Sequence, residues 1–123
     1  MFRMAMIAAG LAASVTAAAA GEVKGEWLRS DSAAKVRIAP CGGALCGTIS
    51  WLKKPKDGPA KLGQQIFFNM KPAGDNAWQG SAFNPEDGKT YSGKMTQAGD
   101  RLTTSGCVLG GLICKSMSWT RSH

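Results

Sequence analysis

The sequence predicts an all-β protein, built as a small antiparallel up-and-down β-barrel of about eight strands. Short segments of alternating apolar and polar residues recur along the chain after residue 20, separated by glycine, proline, asparagine and aspartate. Apolar residues do not recur there at helical spacing over three turns, with a weak exception at residues 60–68. A meander of eight strands would leave two long edges exposed, so closure into a barrel is favoured over an open sheet.

The first 20 residues have the pattern of a secretory signal peptide. Arg3 precedes an apolar run over residues 4–15, and alanines occupy residues 17–20. The run is short and alanine-rich for a membrane anchor, which needs about 20 strongly apolar residues. We therefore expect cleavage after Ala20, which leaves residues 21–123 as one barrel domain, periplasmic or secreted, without a transmembrane segment.

The predicted strands follow one another with turn signals between them. The clearest turns are NPEDGK before Tyr91, QAGD before Arg101 and the glycine pair before Leu112. Turns this short join neighbouring antiparallel strands, which predicts a meander. The strands are expected at residues 26–29, 35–40, 45–53, 64–70, 78–83, 90–96, 101–108 and 113–121.

Four cysteines occur as two close pairs, each around a glycine-containing turn. In each pair the cysteines lie symmetrically about the turn, so they are expected to face each other across a hairpin. All four also share a strand face with polar residues, which predicts disulfides on the outside of the barrel. Crossed pairs would close longer loops and stabilise more in chain-entropy terms, and they remain the alternative. The predicted disulfides are Cys41–Cys46 and Cys107–Cys114.

The same cysteines argue against a metal or redox centre. Structural zinc sites commonly use C-x-x-C pairs, whereas four and six residues separate the cysteines within these two pairs. The sequence contains no C-x-x-C motif of the kind that thiol oxidoreductases use. No metal and no cofactor is therefore expected.

The chain is basic, with a formal net charge of +7. Its lysines are mostly spread singly, except for KKPKDGPAK at residues 53–61, where two prolines and a glycine indicate a loop. Such a loop is usually solvated, although it also suits an anionic envelope component. Aromatic residues do not interleave with these lysines, so nucleic-acid binding is not expected.

Residues for catalysis are few. The single histidine is His123 at the end of the sequence, which leaves a serine or cysteine nucleophile without a credible base. Glu86 and Asp87 are adjacent in the NPEDGK turn, where turn geometry explains Asp87 before glycine. We expect no catalytic residues and no enzymatic activity.

Aromatic side chains lie on the predicted strands at positions shared with apolar or small neighbours. Trp51, Trp78 and Tyr91, with Met95, are predicted to point inward and to line the open part of the barrel. Alternatively, these large rings simply fill the interior, as side chains do in small barrels.

Four stretches, CGGALCGTISWL, WQGSAFNPEDGKTYSG, GDRLTTSGC and SMSWTR, occur in this order. In order and spacing they resemble a family of small exported bacterial proteins catalogued as a domain of unknown function, DUF2147. The resemblance spans nearly all of residues 21–123. It departs at KLGQQIFFNMKP, where many relatives carry a more basic, arginine-containing segment.

The resemblance implies a lipocalin-like, or calycin, barrel. Residues 25–27, GEW, resemble the G-x-W of the first calycin strand, and Arg121 resembles the arginine of the last strand that packs over that tryptophan. Trp27 and Arg121 are therefore expected to close one end, with a stacking contribution of about 0.5–2 kcal/mol. The resemblance carries no established activity.

Together these features predict an exported, non-enzymatic barrel that binds a small apolar or amphiphilic ligand. The alternative is an envelope interaction module with a filled barrel. It would contact a protein partner or an anionic envelope surface through the basic loop.

Overall fold

The computed structural model describes residues 23–122, which form a closed antiparallel barrel of eight strands. Each strand pairs with the next along the chain, and β8 returns to pair with β1. The predicted all-β, up-and-down barrel is thus confirmed. The strands are β1 (Gly25–Arg29), β2 (Ala34–Cys41), β3 (Ala44–Leu52), β4 (Gln65–Pro72), β5 (Ala77–Asn84), β6 (Lys89–Ala98), β7 (Arg101–Val108) and β8 (Ile113–Arg121).

The predicted signal peptide, its cleavage site and His123 lie outside the described residues. Within residues 23–122, no helix has the length and apolar character needed to cross a membrane.

The up-and-down order gives the barrel two distinct ends. We call the end that holds the turns at residues 42–43, 73–76 and 99–100 the closed end, because Trp27 and Arg121 lie there. The open end holds the turns at residues 30–33, 53–64, 85–88 and 109–112. The two disulfides therefore lie at opposite ends of the barrel, Cys41–Cys46 at the closed end and Cys107–Cys114 at the open end.

Between these ends the interior is packed with apolar side chains from alternating strand positions. Phe67 and Trp119 pack edge to face with ring centroids 6.4 Å apart. The buried hydroxyl of Thr104 accepts a hydrogen bond of 2.9 Å from the indole Nε1 of Trp119, which satisfies both groups inside the barrel. The buried core residues are Val23, Trp27, Val36, Ile38, Phe67, Met70, Met95, Leu102 and Trp119.

Trp27 closes the barrel as the G-x-W resemblance implies. Its side chain is inaccessible to solvent, and its indole Nε1 donates to the Val23 carbonyl at 2.9 Å. Arg121, the register partner of Trp27 on β8, lies with its guanidinium carbon 4.2 Å from the ring centroid. The guanidinium also donates to the Lys24 carbonyl at 2.8 Å. The residues that join the last strand to the first thus also seal this end.

The disulfides have the local pairing predicted from the sequence, but their registers differ. Cys107 and Cys114 are direct partners across β7 and β8, with Cα atoms 4.1 Å apart. Cys41 and Cys46 are diagonal neighbours with Cα atoms 5.9 Å apart. The β2–β3 turn consists of residues 42–43, two glycines with positive φ, and this turn places Cys41 opposite Ala44.

The disulfides were predicted on the outside of the barrel, but one of their cysteines is shielded from solvent. Cys107 is only 2% exposed. It lies on a strand that is paired on both sides, with Ser92 of β6 on one flank and the bonded Cys114 on the other. A side chain between two paired strands is covered by its neighbours even on the outer face of a barrel.

Candidate functional site

A cavity of about 430 Å³ opens at the open end of the barrel. Trp119 and Ile49, which are 4% and 5% exposed, lie at its floor, where the packed core ends. Above them lie polar residues of the loops. The apolar lining residues are Ala33, Ala34, Ile49, Leu52, Ala60, Ile66, Pro85 and Trp119, and the polar ones are Arg29, Lys35, Lys53, Lys54, Asp57, Asn84 and Glu86.

A bulge in β3 shapes one wall of this cavity. The β2–β3 register pairs Val36 with Ile49 but Lys35 with Trp51, so that Ser50 is an extra residue in β3. The bulge keeps Ile49 inward and brings Leu52, two residues beyond Ser50, into the cavity lining as well. An unbroken strand would have turned Leu52 to the outside.

The same bulge makes the predicted inward orientation of Trp51 wrong. Trp51 is 40% exposed and lies on the outer face, with the Lys35 Nζ 5.8 Å from its ring centroid. Ser50 also faces outward, since its hydroxyl donates to the Glu26 carboxylate at 2.6 Å. Trp51 therefore does not line the cavity.

Three backbone hydrogen bonds fix the basic loop of residues 53–64 over the cavity. The Lys53 amide donates to the Ala33 carbonyl at 2.9 Å, which ties the loop to the β1–β2 turn. Ile49 then exchanges two bonds with the other end of the loop, accepting from the Gly63 amide at 2.8 Å and donating to the Gln64 carbonyl at 2.9 Å. Lys53 and Lys54 are thereby placed in the lining, where the sequence predicted only a solvated loop.

The rim of the cavity is predominantly cationic. Four lysines and arginines line it, against the two carboxylates of Asp57 and Glu86. Arg29 is engaged by Asp31 through two hydrogen bonds of 2.9 Å, and these bonds hold the pKa of the Asp31 carboxyl below its usual value. Because the Lys35 Nζ lies against the Trp51 ring on the outer face, the cations left for the cavity are Lys53 and Lys54.

The other residues predicted to line the interior are not brought together. Met95 is inaccessible to solvent in the packed core. Trp78, its direct partner on β5, is half-buried against that core and lines a separate groove at the closed end with residues 72 and 74–77. Neither residue reaches the cavity at the open end. A ligand site built from Trp51, Trp78, Tyr91 and Met95 together is therefore not the arrangement in the structure.

Tyr91 lies near the open end, where a hydrogen bond holds it. Its hydroxyl donates to the Asp87 carboxylate, which also accepts from the Lys89 amide at 2.9 Å. The bond from Tyr91 lowers the pKa of Asp87, and the carboxylate in turn raises the pKa of the Tyr91 phenol. The ring packs beside Gly106 of β7, so this pair ties the β5–β6 turn to the barrel wall.

Sequence reasoning missed the floor of the cavity. Ile49 and Trp119 are two of many apolar residues on the predicted strands, so their type alone does not single them out. For Ile49 and Ile66 the signal is position along the strand, because both are apolar residues near the open-end termini of β3 and β4. Trp119 lies near the closed-end terminus of β8, and only its side chain reaches the floor. Ile66 also lies in the one stretch whose spacing weakly suggested a helix.

Residues 25–121 match a family described as an uncharacterized protein conserved in bacteria, DUF2147. The chain belongs to DUF2147. The matched residues run from the first residue of β1 to the last of β8, so the family pattern and the barrel coincide. No curated protein matches this DUF2147 chain.

A solved structure supports the fold of this DUF2147 protein. Protein HP1028 from the human pathogen Helicobacter pylori, described as belonging to the lipocalin family, matches with a TM-score of 0.63. The match covers 83% of this chain and 84% of HP1028, at 18% sequence identity. A likeness at this identity establishes the fold, which is a lipocalin-like barrel, as the resemblance implied.

Proposed function

We propose that this DUF2147 protein binds a small amphiphile with an anionic head group in the cavity at the open end. The proposal rests on the layering of that cavity, with Ile49, Ile66 and Trp119 at the floor and Lys53 and Lys54 at the rim. An alkyl chain gains free energy by leaving water for such a floor. Its carboxylate or phosphate then stays at the rim beside the lysines.

The size of the cavity supports a small guest. Its volume of about 430 Å³ falls in the range of about 300–1,000 Å³ that is typical of small-molecule sites. The buried core below Trp119 limits how deep a chain extends, because Met95 and Leu102 are inaccessible to solvent. We therefore propose one short alkyl chain rather than a two-chain lipid.

Titration with laurate and lauryl alcohol, which share an alkyl chain, tests this proposal. Saturable binding of laurate is expected, and Ala60→Phe should weaken it at least tenfold, about 1.4 kcal/mol, because the ring occupies the cavity. Ala73→Phe places the same ring in an exposed turn at the closed end and should leave binding unchanged. Laurate should be recovered chemically intact, since we propose binding without catalysis.

A second pair of ligands tests the head group. Replacing both Lys53 and Lys54 by glutamine should weaken laurate about fivefold, as exposed ion pairs contribute about 0.2–1 kcal/mol each. Lauryl alcohol should be unaffected. If neither ligand binds saturably to the wild type, the proposal fails, and the filled-barrel interaction module becomes the better account.

We also infer that the protein is exported to an oxidising compartment. Two disulfides in so small a domain favour the periplasm or the cell exterior over the cytosol. The signal-like pattern of residues 1–20 supports the same location. Amino-terminal sequencing of the exported protein is expected to begin at Gly21, and a retained Met1 in the cytosolic fraction would contradict the inference.

A further inference from the structure

The loop that joins β7 to β8 presents large aliphatic side chains to solvent. We call residues 108–113, VLGGLI, the apolar tip. Leu112 is 84% exposed, Leu109 68%, Ile113 58% and Val108 39%. Single exposed aliphatic residues are ordinary on a protein surface, but a contiguous apolar group in one exposed turn marks an interaction site.

The backbone holds this apolar tip in a conformation that its sequence disfavours. Leu109 has a φ of 54°, in the left-handed region that aliphatic residues rarely adopt. The Cys107–Cys114 disulfide joins the two strands directly below it. Asparagine or glycine would adopt this backbone conformation at lower cost and without exposing an aliphatic side chain. The folding of the turn therefore does not explain why residue 109 is a leucine.

The apolar tip extends past the neighbouring strand. Within residues 23–122, β8 pairs with β1 only from Trp119 onward, and one further bond joins the Ser30 amide to the Ser118 carbonyl. Residues 113–117 of β8 therefore continue beyond the end of β1. The hairpin is therefore uncovered on its β1 side, while on its other side β6 continues to Lys89, three residues past the Ser92 partner of Cys107.

Lysines surround the base of the apolar tip. The Lys94 Nζ lies 3.9 Å from the position that a Cβ on Gly111 would occupy. Lys115 is exposed on β8, and Lys89 begins β6 at the same end. Glu86 and Asp87 also lie at this end, and the Asp87 carboxylate is engaged by the Tyr91 hydroxyl.

An exposed apolar side chain and lysines also occur together on the opposite side of the cavity mouth. Leu62 in the loop of residues 53–64 is 58% exposed. Four lysines of that loop, Lys53, Lys54, Lys56 and Lys61, accompany it. Apolar side chains flanked by lysines thus occur on both sides of the open end.

We propose that the open end of the barrel docks on a bilayer surface rich in anionic phospholipid, with the apolar tip inserted between the lipids. Aliphatic side chains that enter the lipid while nearby lysines remain at the phosphates are the combination that interfacial binding requires. A protein partner fits less well, because specific interfaces bury about 800 Å² on each side, more than four side chains of a turn supply.

Docking does not depend on ligand binding in the cavity, and it goes beyond that proposal. If both hold, the mouth of the cavity lies against the membrane. A single-chain amphiphile would then pass between bilayer and cavity without crossing water.

Flotation with vesicles tests the docking proposal. The wild type is expected to float with vesicles of equimolar phosphatidylglycerol and phosphatidylcholine, and far less with pure phosphatidylcholine. The double variant Leu109→Asn/Leu112→Ser removes two aliphatic side chains and should lower partitioning about tenfold to a hundredfold. Asparagine suits the left-handed position, so the variant should keep the thermal stability of the wild type.

A charge-matched pair tests the electrostatic part. Lys115→Gln should lower partitioning on the anionic vesicles about fivefold, since each lysine near such a surface contributes about 1 kcal/mol. Lys71→Gln makes the same change on β4 near the closed end and should have little effect. Added salt should reduce the difference between these two variants.

Three outcomes would overturn the proposal. The first is that the wild type floats equally with anionic and neutral vesicles or with neither. The second is that Leu109→Asn/Leu112→Ser floats like the wild type. The third is a wild-type dimer in sedimentation that this double variant dissociates, because the apolar tip would then be a contact between two copies of the chain. Laurate binding, measured in the same variants, is expected to be unchanged, so that a failure of docking is distinguishable from a failure of ligand binding.

Discussion

Trp27→Ala is expected to lower the free energy of unfolding by about 3–5 kcal/mol, the range for removing a buried aromatic side chain. Trp27 is inaccessible to solvent, donates to the Val23 carbonyl and packs under the Arg121 guanidinium. Alanine would leave a cavity at the closed end and remove the ring on which Arg121 stacks. Domains of this size have only about 5–15 kcal/mol of stability, so the loss is a large fraction of it.

Thermal and urea unfolding with the disulfides intact measure this effect. A fall in Tm of about 15–30 °C is expected for a domain of this length. Trp51→Ala is the matched control, because Trp51 is 40% exposed on the outer face and contacts Lys35. Its loss should cost less than about 1 kcal/mol. Equal destabilisation by the two substitutions would mean that the closed end is not sealed as described.

Alternation and turn residues were sufficient to predict the barrel. The strands expected at residues 101–108 and 113–121 are β7 and β8 with the same bounds, and the other six differ by at most two residues at either end. These segments are short, most alternate apolar with polar residues, and every connecting turn contains glycine, asparagine or aspartate, so their ends are marked locally. The closing contact of Trp27 with Arg121 came from the family resemblance, because no local pattern links residues so far apart in sequence.

The orientation of Trp51 could not be predicted in the same way. Counting by twos along β3 carries the inward face from Ile49 to Trp51, and a single extra residue reverses it. Nothing in the residues TISWL marks Ser50 as that residue. The bulge is fixed by the register of β3 against β2, which depends on contacts between strands.

The two loops at the open end illustrate a different limit. The lysines of residues 53–61 were correctly placed in a loop, but its position over the cavity depends on hydrogen bonds to Ala33 and Ile49.

The exposure of residues 108–113 had a signal in the sequence that was missed. Aliphatic residues in a turn beyond a cross-strand disulfide lie too far along the hairpin to reach the core. The turn itself is longer than the predicted glycine pair, since Val108 pairs with Ile113 and four residues lie between them.

Close approach of two backbones makes Gly80→Ala the second substitution with a large expected effect. A Cβ at this position would lie 2.4 Å from the Phe68 carbonyl oxygen and 2.6 Å from that of Asn69. The register between β4 and β5 shifts at this point, and Asn69 adopts a φ of 52°. The irregularity in β4 thus directs two carbonyl groups at the Cα of Gly80.

Two effects of Gly80→Ala on the free energy of unfolding oppose each other, the lower conformational entropy of alanine in the unfolded chain and the steric cost of its Cβ. Their magnitudes decide the sign of the net change. Alanine within a strand gains about 0.5–1 kcal/mol over glycine, whereas overpacking against groups that cannot move costs about 1–3 kcal/mol, occasionally more. Both contacts are backbone oxygens, so we expect a net loss of about 2 kcal/mol in urea unfolding. Gly106→Ala is the control, because its Cβ would meet only the Tyr91 side chain, at 3.3 Å, and should stay within about 1 kcal/mol of the wild type. If Gly80→Ala unfolds at the same urea concentration as Gly106→Ala, β4 and β5 are not in close contact at this irregularity.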